Sequence, residues 1–432
     1  MSLPHPHRGP RADGGEPVDG APTGPEPGLT AGDPPHGAED KATDLPQNAK
    51  AQAGSLAQGP KAQAGSLAQG AKAQAGNVVP AGIAQAGLGY AITALGACLV
   101  LLADDFGVPP EALGRLPATF GLGLVIVAPA GPWLLRGGPR PALTGGSLVI
   151  AAGVTLLALA TVPAVAVAGA LLLGLGGAAI VLVTPALLAG AGAATRLAKV
   201  TAASSAAAVL APAAIAALEA TGLASGRLAL LVAVPPLLFL AVTARPVAVP
   251  STREPGVRPA AGAVARRWAV VALAVSVEFC FTIWAVARLA AAVPAPGTAA
   301  ALGTAFPLGM ALGRLAGPAL IRRLPVLPVA AAVTAAGATL VVVAGHPAAI
   351  TAGLVVAGAG VATLYPVTLA GLVATPGLSA GPAVSLGALA SGTAILVAPV
   401  ALARLADVVA LRLAFLITLP LLAALLLLRR GQ

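Results

Sequence analysis

Twelve long apolar runs follow one another between residues 82 and 428 of this chain. Each is close to the length of about 20 residues at which an α-helix crosses a lipid bilayer. Lipid offers no hydrogen bonds to the backbone, so such segments are restricted to helices that satisfy their own N–H and C=O groups. The predicted spans are 82–103, 113–135, 142–162, 164–189, 199–220, 226–244, 268–290, 299–321, 326–345, 348–372, 382–403 and 408–428. The pattern predicts an all-α integral membrane protein.

The composition agrees with a lipid environment. Of the 432 residues, 57% are hydrophobic and 9% are charged, whereas a soluble domain carries about 25% charged residues. The formal charge of +10 would suggest a nucleic-acid partner in a soluble protein. Here the basic residues lie mainly in short loops between apolar runs. We therefore interpret them as topology signals and expect membrane lipid, but no nucleic acid, as a partner.

The first 79 residues differ from the remainder of the chain. They are rich in Pro, Gly and acidic residues and poor in large apolar ones, so they cannot bury a core and are predicted to be disordered. The segment KAQAGSLAQG occurs at 50–59 and again at 61–70, which is typical of low-complexity sequence. The predicted organisation is a cytoplasmic tail (1–79), a first six-helix bundle (80–247), a cytoplasmic central loop (248–267) and a second six-helix bundle (268–432).

Basic residues are divided unequally between the two ends of the predicted helices. If the N-terminus is cytoplasmic, the inside loops hold most of them, and residues 245–267 alone contain five arginines. The outside loops hold Arg115, Arg227, Arg288, Arg404 and Arg412, together with Asp104, Asp105, Glu111, Glu219 and Asp407. The excess of positive charge inside predicts a multi-pass plasma-membrane protein with both termini in the cytoplasm.

The two halves of the predicted membrane region resemble each other. GPWLLR at 131–136 matches GPALIR at 317–322. Further anchors follow in the same order at nearly constant shifts: Pro185 with Pro366, Ala211-Pro212 with Ala398-Pro399, and Arg227 with Arg412. Six helices return the chain to the side from which it started, so both repeats have the same topology.

The loop after the second helix resembles the loop signature of the major facilitator superfamily, G-x-L-x-D-R-x-G-R/K-R. The matching residues are Gly131, Arg136, Gly138 and Arg140, with Gly317 and Arg322 in the second half. Leu135 and Ile321 occupy the acidic position, and the interhelical latch that this acid helps to hold in the family is therefore in doubt. The stretches GMALGR at 309–314 and LYP at 364–366 also resemble bacterial members. The resemblance implies two pseudo-symmetric six-helix bundles and alternating access.

Glu278 is the best candidate for chemistry inside the membrane. It lies ten residues after Trp268, about 15 Å along a helix and so near the middle of a hydrocarbon layer about 30 Å thick. Its aligned position in the first half is Ile92. Charged residues at this depth are functional candidates, and a carboxyl group here could take up and release a proton as a cavity opens to each side. The alternative is a neutral, hydrogen-bonded structural residue.

Arg314 is the second candidate. It could bind an anionic substrate or pair with Glu278, or it could extend to the cytoplasmic face or pack structurally. Arg288 is predicted to be an anchor that reaches the outer interface. Polar residues that could line a central cavity are Gln85, Tyr90, Thr93, Ser204, Ser205, Thr282, Trp284, Tyr365 and Ser391. Ser and Thr in membrane helices also serve as packing and hydrogen-bonding residues between helices.

These features predict a monomeric secondary active transporter that moves a small neutral or amphiphilic organic molecule. Proton coupling and export are the expected mode. Cys98 and Cys280 lie inside apolar runs and the histidines lack metal-ligand spacing, so no disulfide, metal or other cofactor is predicted. The chain has no nucleotide-binding P-loop, and we do not expect an enzyme.

Two alternatives remain open. One is an integral membrane enzyme that acts on lipid, for which the acidic residues Asp104, Asp105 and Glu111 would have to supply the catalytic groups. The other is a transporter-like membrane sensor that uses the long N-terminal tail as its contact site.

Overall fold

The computed structural model describes residues 76–134, 138–188, 193–222, 224–243, 259–321 and 325–430. The predicted disordered tail, apart from residues 76–79, and most of the predicted central loop lie outside these ranges. Every regular element within them is helical. Twelve helical segments within the described ranges are long and apolar enough to cross a membrane, and all twelve correspond to predicted spans, which confirms the all-α fold.

The first six segments, named α1 to α6, make up the first half. They are α1 (Val78–Phe106), α2 (Arg115–Val127, continued by Gly131–Leu134), α3 (Pro139–Ala158), α4 (Pro163–Leu187), α5 (Ala193–Thr221) and α6 (Val234–Thr243, preceded by the 3₁₀ helix Gly226–Ala233). Gly107 ends α1 with φ 64°, a left-handed conformation that glycine adopts without strain.

The second half repeats this arrangement. Its segments are α7 (Ala261–Ala290), α8 (Pro296–Gly303 and Ala305–Ile321), α9 (Val326–Val343), α10 (Pro347–Val373), α11 (Ala380–Ala406) and α12 (Thr418–Arg430, preceded by Leu411–Ala414 and Phe415–Ile417). Pro185 and Pro212 lie inside α4 and α5, and their predicted counterparts Pro366 and Pro399 lie inside α10 and α11. We call the end at which α1 and α7 begin the proximal end and the opposite end the distal end.

Glycines bring the helices of each half into close contact. A Cβ atom added to Gly153 of α3 would lie 2.7 Å from the Gly169 carbonyl oxygen of α4. In the second half, a Cβ atom on Gly353 of α10 would lie 3.0 Å from the backbone nitrogen of Val341 on α9. Both distances leave no room for a side chain, so α3–α4 and α9–α10 pack backbone to backbone. Small residues at helix contacts are the usual means of close packing in lipid.

The two halves meet between α1 and α7, where a Cβ atom on Gly96 would lie 3.1 Å from the Ile283 Cα atom, and along two further pairs of helices, α2–α11 and α5–α8. On the first pair, a Cβ atom on Gly121 of α2 would lie 2.8 Å from the Leu396 Cα atom of α11, and one on Gly392 of α11 would lie 2.9 Å from the backbone nitrogen of Val125. We call this contact the glycine seam, and Gly121 and Gly392 define it. On the second pair, Arg314 of α8 reaches α5 in the proximal half.

The second pair also closes at its distal end. There, a Cβ atom on Gly297 of α8 would lie 3.1 Å from the Glu219 Cβ atom of α5. The Glu219 carboxylate accepts a hydrogen bond from the Gly226 N–H group at 2.5 Å, which holds the turn between α5 and α6. Contacts between α5 and α8 therefore occur near both ends, and the described conformation is closed along this pair.

Candidate functional site

Glu278 lies in the interior of α7, more than three helical turns from either end of that helix. Glu278 is half-buried. It lies in the middle of a helix that neighbouring helices mostly enclose. No side chain or backbone group in the described ranges donates a hydrogen bond to its carboxylate. The hydroxyl of Thr282 donates instead to the Glu278 backbone carbonyl at 3.0 Å. The carboxyl group is therefore free to exchange partners.

Arg314 of α8 connects the two halves of the protein. One guanidinium nitrogen donates to the Ser205 hydroxyl and lies 3.5 Å from the Thr201 carbonyl oxygen, and both acceptors are on α5. The Nε atom of Arg314 is buried without a hydrogen-bond partner among the described residues. A buried guanidinium N–H group without an acceptor is costly. The contact with α5 therefore leaves Arg314 incompletely satisfied.

Glu278 and Arg314 are close enough to attract each other electrostatically. Their charged groups are nevertheless not paired within 4.0 Å, since the ion pairs in the described part of the chain join other residues. An ion pair between Glu278 and Arg314, one of the alternatives that the sequence leaves open for Arg314, is thus not formed in this conformation. Arg314 thus has neutral hydrogen-bond acceptors on α5 and one acidic neighbour on α7.

Tyr365 of α10 and Ser391 of α11 complete this arrangement. The Tyr365 hydroxyl lies near the Ser391 side chain and near the charged groups of Glu278 and Arg314. The Ser391 hydroxyl also donates to the Gly387 carbonyl at 3.0 Å within its own helix. We call Glu278, Arg314, Tyr365 and Ser391 the central polar group. Four helices of the second half thus contribute polar side chains to one region, which faces α5 of the first half.

The polar candidates of the first half lie around the contact of α1 with α5. The Thr93 hydroxyl donates to the Gly89 carbonyl at 3.0 Å, and the absence of a side chain at Gly89 leaves room for Ser204. Thr93 and Ser204 are both half-buried. Gln85 donates to the Thr184 hydroxyl at 3.0 Å and so links α1 to α4. Among the described contacts, Ser205 rather than Ser204 reaches the central polar group.

Tyr90 and Trp284 have their polar atoms engaged by backbone carbonyls. The Tyr90 hydroxyl donates to the Ala229 carbonyl at 2.7 Å, and the Trp284 indole N–H donates to the Pro399 carbonyl at 3.1 Å. Trp284 is 0% exposed. These contacts favour a role in helix packing for both rings over direct contact with a substrate.

The loop-signature residues lie at the proximal end. Gly131 begins the short helical turn after α2, and Gly317 lies within α8. Gly138 precedes α3 with φ 84°, a conformation that strongly favours glycine over other residues. Arg140 is exposed in the first turn of α3. Arg136 and Arg322 lie outside the described residues.

The prediction for Arg288 was wrong. The Arg288 side chain does not extend to the outer interface, because Arg288 is only 5% exposed. Its Nε atom donates to the Val341 carbonyl at 3.3 Å, and another guanidinium nitrogen donates to the Ala344 carbonyl at 2.6 Å. Both acceptors lie at the C-terminal end of α9, whose last carbonyls have no partners within the helix. Arg288 is therefore a buried cap for α9.

Comparison with solved structures identifies proteins of similar fold. A structure of the nucleoside transporter NupG superposes with a TM-score of 0.62 and 12% identity, covering 82% of this chain and 98% of that one. The E. coli fucose:proton symporter FucP gives a TM-score of 0.57 and 17% identity, covering 82% and 98%. An inward-facing, unoccupied structure of a bacterial homologue of the human lysosomal transporter Spinster gives 0.59 and 14%, covering 83% and 95%. No protein-family model and no curated protein sequence matches the chain.

Proposed function

We propose that this chain, which has the fold of major facilitator transporters, is a secondary active transporter that moves a small organic solute by alternating access and is driven by protons. The fold supports transport, because its solved neighbours carry the names of transporters. One of them is a proton symporter by name. The observation that carries proton coupling for this chain is the unpaired carboxyl group of Glu278 beside Arg314.

Among the described residues, Glu278 is the one carboxyl group that lies away from the distal end. The other carboxyl groups in the described ranges are Asp104, Asp105, Glu111, Glu219 and Asp407, and all of them lie at the distal end. A carboxyl group in an apolar interior is costly as an anion unless it is paired. Glu278 therefore gains from binding a proton, or from pairing with Arg314.

Arg314 connects the protonation of Glu278 to movement. When Glu278 carries a proton, it no longer attracts Arg314 strongly, and Arg314 keeps its contact with Ser205. When the proton leaves for water, the carboxylate competes with Ser205 for the guanidinium group. An ionic hydrogen bond is stronger than a bond to a neutral hydroxyl, so Arg314 moves away from α5. Loss of the proton would thus loosen the α5–α8 contact in the proximal half.

This sequence of events fits export by proton exchange. With both termini in the cytoplasm, the proximal half opens inward when Glu278 has lost its proton. The solute then enters from the cytoplasm and, once the proximal half has closed and the distal half has opened, leaves on the outer side as Glu278 takes up a proton there. The protonated chain then closes distally and opens inward, the proton passes to the cytoplasm, and the carboxylate draws Arg314 from Ser205. Protons thus move inward as the solute moves outward. The few charges around the central polar group favour a neutral or amphiphilic solute.

The test uses inside-out vesicles that hold a pH gradient, with a pH-sensitive dye inside. A panel of small organic compounds is added to vesicles with the native chain, with Glu278→Gln and with the control Asp407→Asn. Asp407 is an exposed carboxylate at the distal end. We expect at least one compound to release protons with the native chain and with Asp407→Asn, but not with Glu278→Gln.

Two results would contradict the proposal in different ways. If Glu278→Gln released protons as well as the native chain, another group would carry the proton. If the solute were transported without any proton release, uniport or a different coupling ion would replace proton exchange.

A further inference from the structure

A cavity at the proximal end of the second half contains two arginines. The cavity lies between α7, α9, α10 and α12, is partly open to the surface and has a volume of about 40 Å³. Its lining residues are Arg267, Val270, Leu327, Val367, Thr368, Gly371 and Arg429. We name it the Arg267–Arg429 pocket. It is separate from the central polar group, with which it shares no residue.

We propose that the Arg267–Arg429 pocket binds a phosphate group, and specifically the headgroup of an anionic phospholipid. The carrying observation is that two guanidinium groups line one cavity with no carboxylate of the described residues beside them. At the proximal end, the described residues include Arg140, Arg196, Lys199, Arg266 and Arg430 in addition to this pair, but no Asp or Glu. A cavity whose charges are all positive attracts anions.

Arg267 is already held in place for such a ligand. One of its terminal nitrogens donates to the Gly371 carbonyl and lies 3.4 Å from the Thr375 hydroxyl, both at the C-terminal end of α10. Its other terminal nitrogen and its Nε atom have no hydrogen-bond partner in the described part of the chain. Because the side chain is fixed by α10, these donors are already positioned. A planar guanidinium group suits the paired oxygens of a phosphate.

Arg429 supplies the second cation from the last turn of α12. It is exposed and forms no hydrogen bond or ion pair with another described residue. The side chain can therefore turn towards a bound anion without breaking a contact within the protein. Thr368 lies in the same lining, but its hydroxyl already donates to the carbonyls of Leu364 and Tyr365. The two arginines are thus the donors available to the ligand.

The remaining lining favours a lipid over a free phosphate ion. Val270, Leu327 and Val367 give the pocket an apolar wall, against which the glycerol and upper acyl carbons of a phospholipid can pack. Basic pockets between membrane helices on the cytoplasmic side are known to suit anionic headgroups. The proposed topology places this pocket at that leaflet. A bound phosphate would join α7 and α12 through their arginines and strengthen the proximal end of the second half.

The experiment measures binding by the full chain in detergent, through the rise in melting temperature as lipid is added. The probes are phosphatidylglycerol, phosphatidylcholine and glycerol 3-phosphate. The variants are Arg429→Gln, Arg267→Gln and the control Arg404→Gln, an exposed arginine at the distal end. We expect phosphatidylglycerol to bind about fivefold more weakly to Arg429→Gln, since each basic residue near an anionic lipid contributes about 1 kcal/mol. Arg404→Gln should bind like the native chain.

The outcomes separate the sources of the phosphate. Stabilisation by phosphatidylglycerol that depends on Arg429, without an effect of glycerol 3-phosphate, supports the lipid headgroup. If glycerol 3-phosphate stabilises equally through Arg429, the pocket takes a soluble phosphate and the lipid assignment is overturned. If phosphatidylcholine acts as well as phosphatidylglycerol, or if Arg429→Gln binds like the native chain, the pocket is not an anion site. Arg429→Gln decides the matter even if Arg267→Gln, which loses the contact with α10, does not fold.

Discussion

The Arg314 guanidinium of α8 donates a hydrogen bond to the Ser205 hydroxyl of α5. This bond joins the two halves of the protein in the proximal part of the membrane region. It also places a charged group between a neutral acceptor and the nearby carboxyl group of Glu278. The relative strength of these two interactions would set how easily α5 separates from α8.

Replacing Ser205 with Ala should loosen the contact between α5 and α8. Hydrogen bonds to charged groups contribute about 1.5–3 kcal/mol, and the Thr201 carbonyl at 3.5 Å cannot fully replace the lost acceptor. We expect faster hydrogen–deuterium exchange in the proximal halves of α5 and α8, measured by mass spectrometry. Ser204→Ala is the matched control, because its hydroxyl has no bond to Arg314. Equal exchange in Ser205→Ala and Ser204→Ala would contradict this role of Arg314.

Replacing Gly121 with Ala should destabilise the closed conformation. The added Cβ atom would lie 2.8 Å from the Leu396 Cα atom, and backbone atoms cannot move aside as a flexible side chain can. Overpacking of this kind costs about 1–3 kcal/mol. The measurement is thermal unfolding in detergent. Gly145→Ala on α3 is the control, since nothing lies within 4 Å of its added Cβ atom, and it should leave stability unchanged or slightly raised.

Replacing Arg288 with Met should lower stability more than replacing an exposed arginine at the same end. The change leaves the Val341 and Ala344 carbonyls without their donor in a buried position, which costs about 1–3 kcal/mol. Arg404→Met is the control, because Arg404 is exposed and its partner Asp407 lies 3.6 Å away. Thermal unfolding of both variants measures the difference. If the two variants unfold at the same temperature, the cap on α9 does not contribute to stability.

Replacing Asp104, Asp105 and Glu111 together by their amides should leave transport intact. Asp105 forms an ion pair with Arg227 at 2.8 Å, and a partly exposed pair of this kind contributes about 1 kcal/mol or less. The assay is proton release in the vesicles described above. Loss of activity that returned with added divalent metal would instead support the alternative of a membrane enzyme.

The sequence predicted the fold well, because the apolar runs and the similarity of the two halves each extend over many residues. A run of about 20 apolar residues permits few structures in lipid, so all twelve spans could be located. The position of Glu278 in the interior of α7 also followed directly, since the apolar run extends on both sides of it. Helix ends were less predictable: α5 begins at Ala193 and α7 at Ala261, well before the predicted spans 199–220 and 268–290, because membrane helices continue into the water phase.

The partners of side chains could not be predicted, because they depend on which helices meet and in which register. The repeat aligns Arg227 with Arg412, and Arg227 donates to the Ala160 carbonyl at the end of α3 at 2.8 Å. In the second half, the matching place at the end of α9 is filled by Arg288 from α7. The carbonyl groups at the ends of α3 and α9 thus accept hydrogen bonds from an arginine in both halves, but the arginine comes from a different helix in each half. Likewise, nothing in the sequence favoured Ser205 over Ser204 as the neighbour of Arg314.

The glycine seam has a consequence for how the protein can change shape. Where side chains separate two helices, rotamer changes allow the contact to weaken by degrees. Gly121 and Gly392 bring backbone against backbone, so neither residue has a rotamer to change. Packed interfaces of this kind shift between discrete arrangements rather than deforming continuously. Separation of α2 from α11 should therefore be cooperative, with the whole seam released in one step and few partly open molecules present at equilibrium.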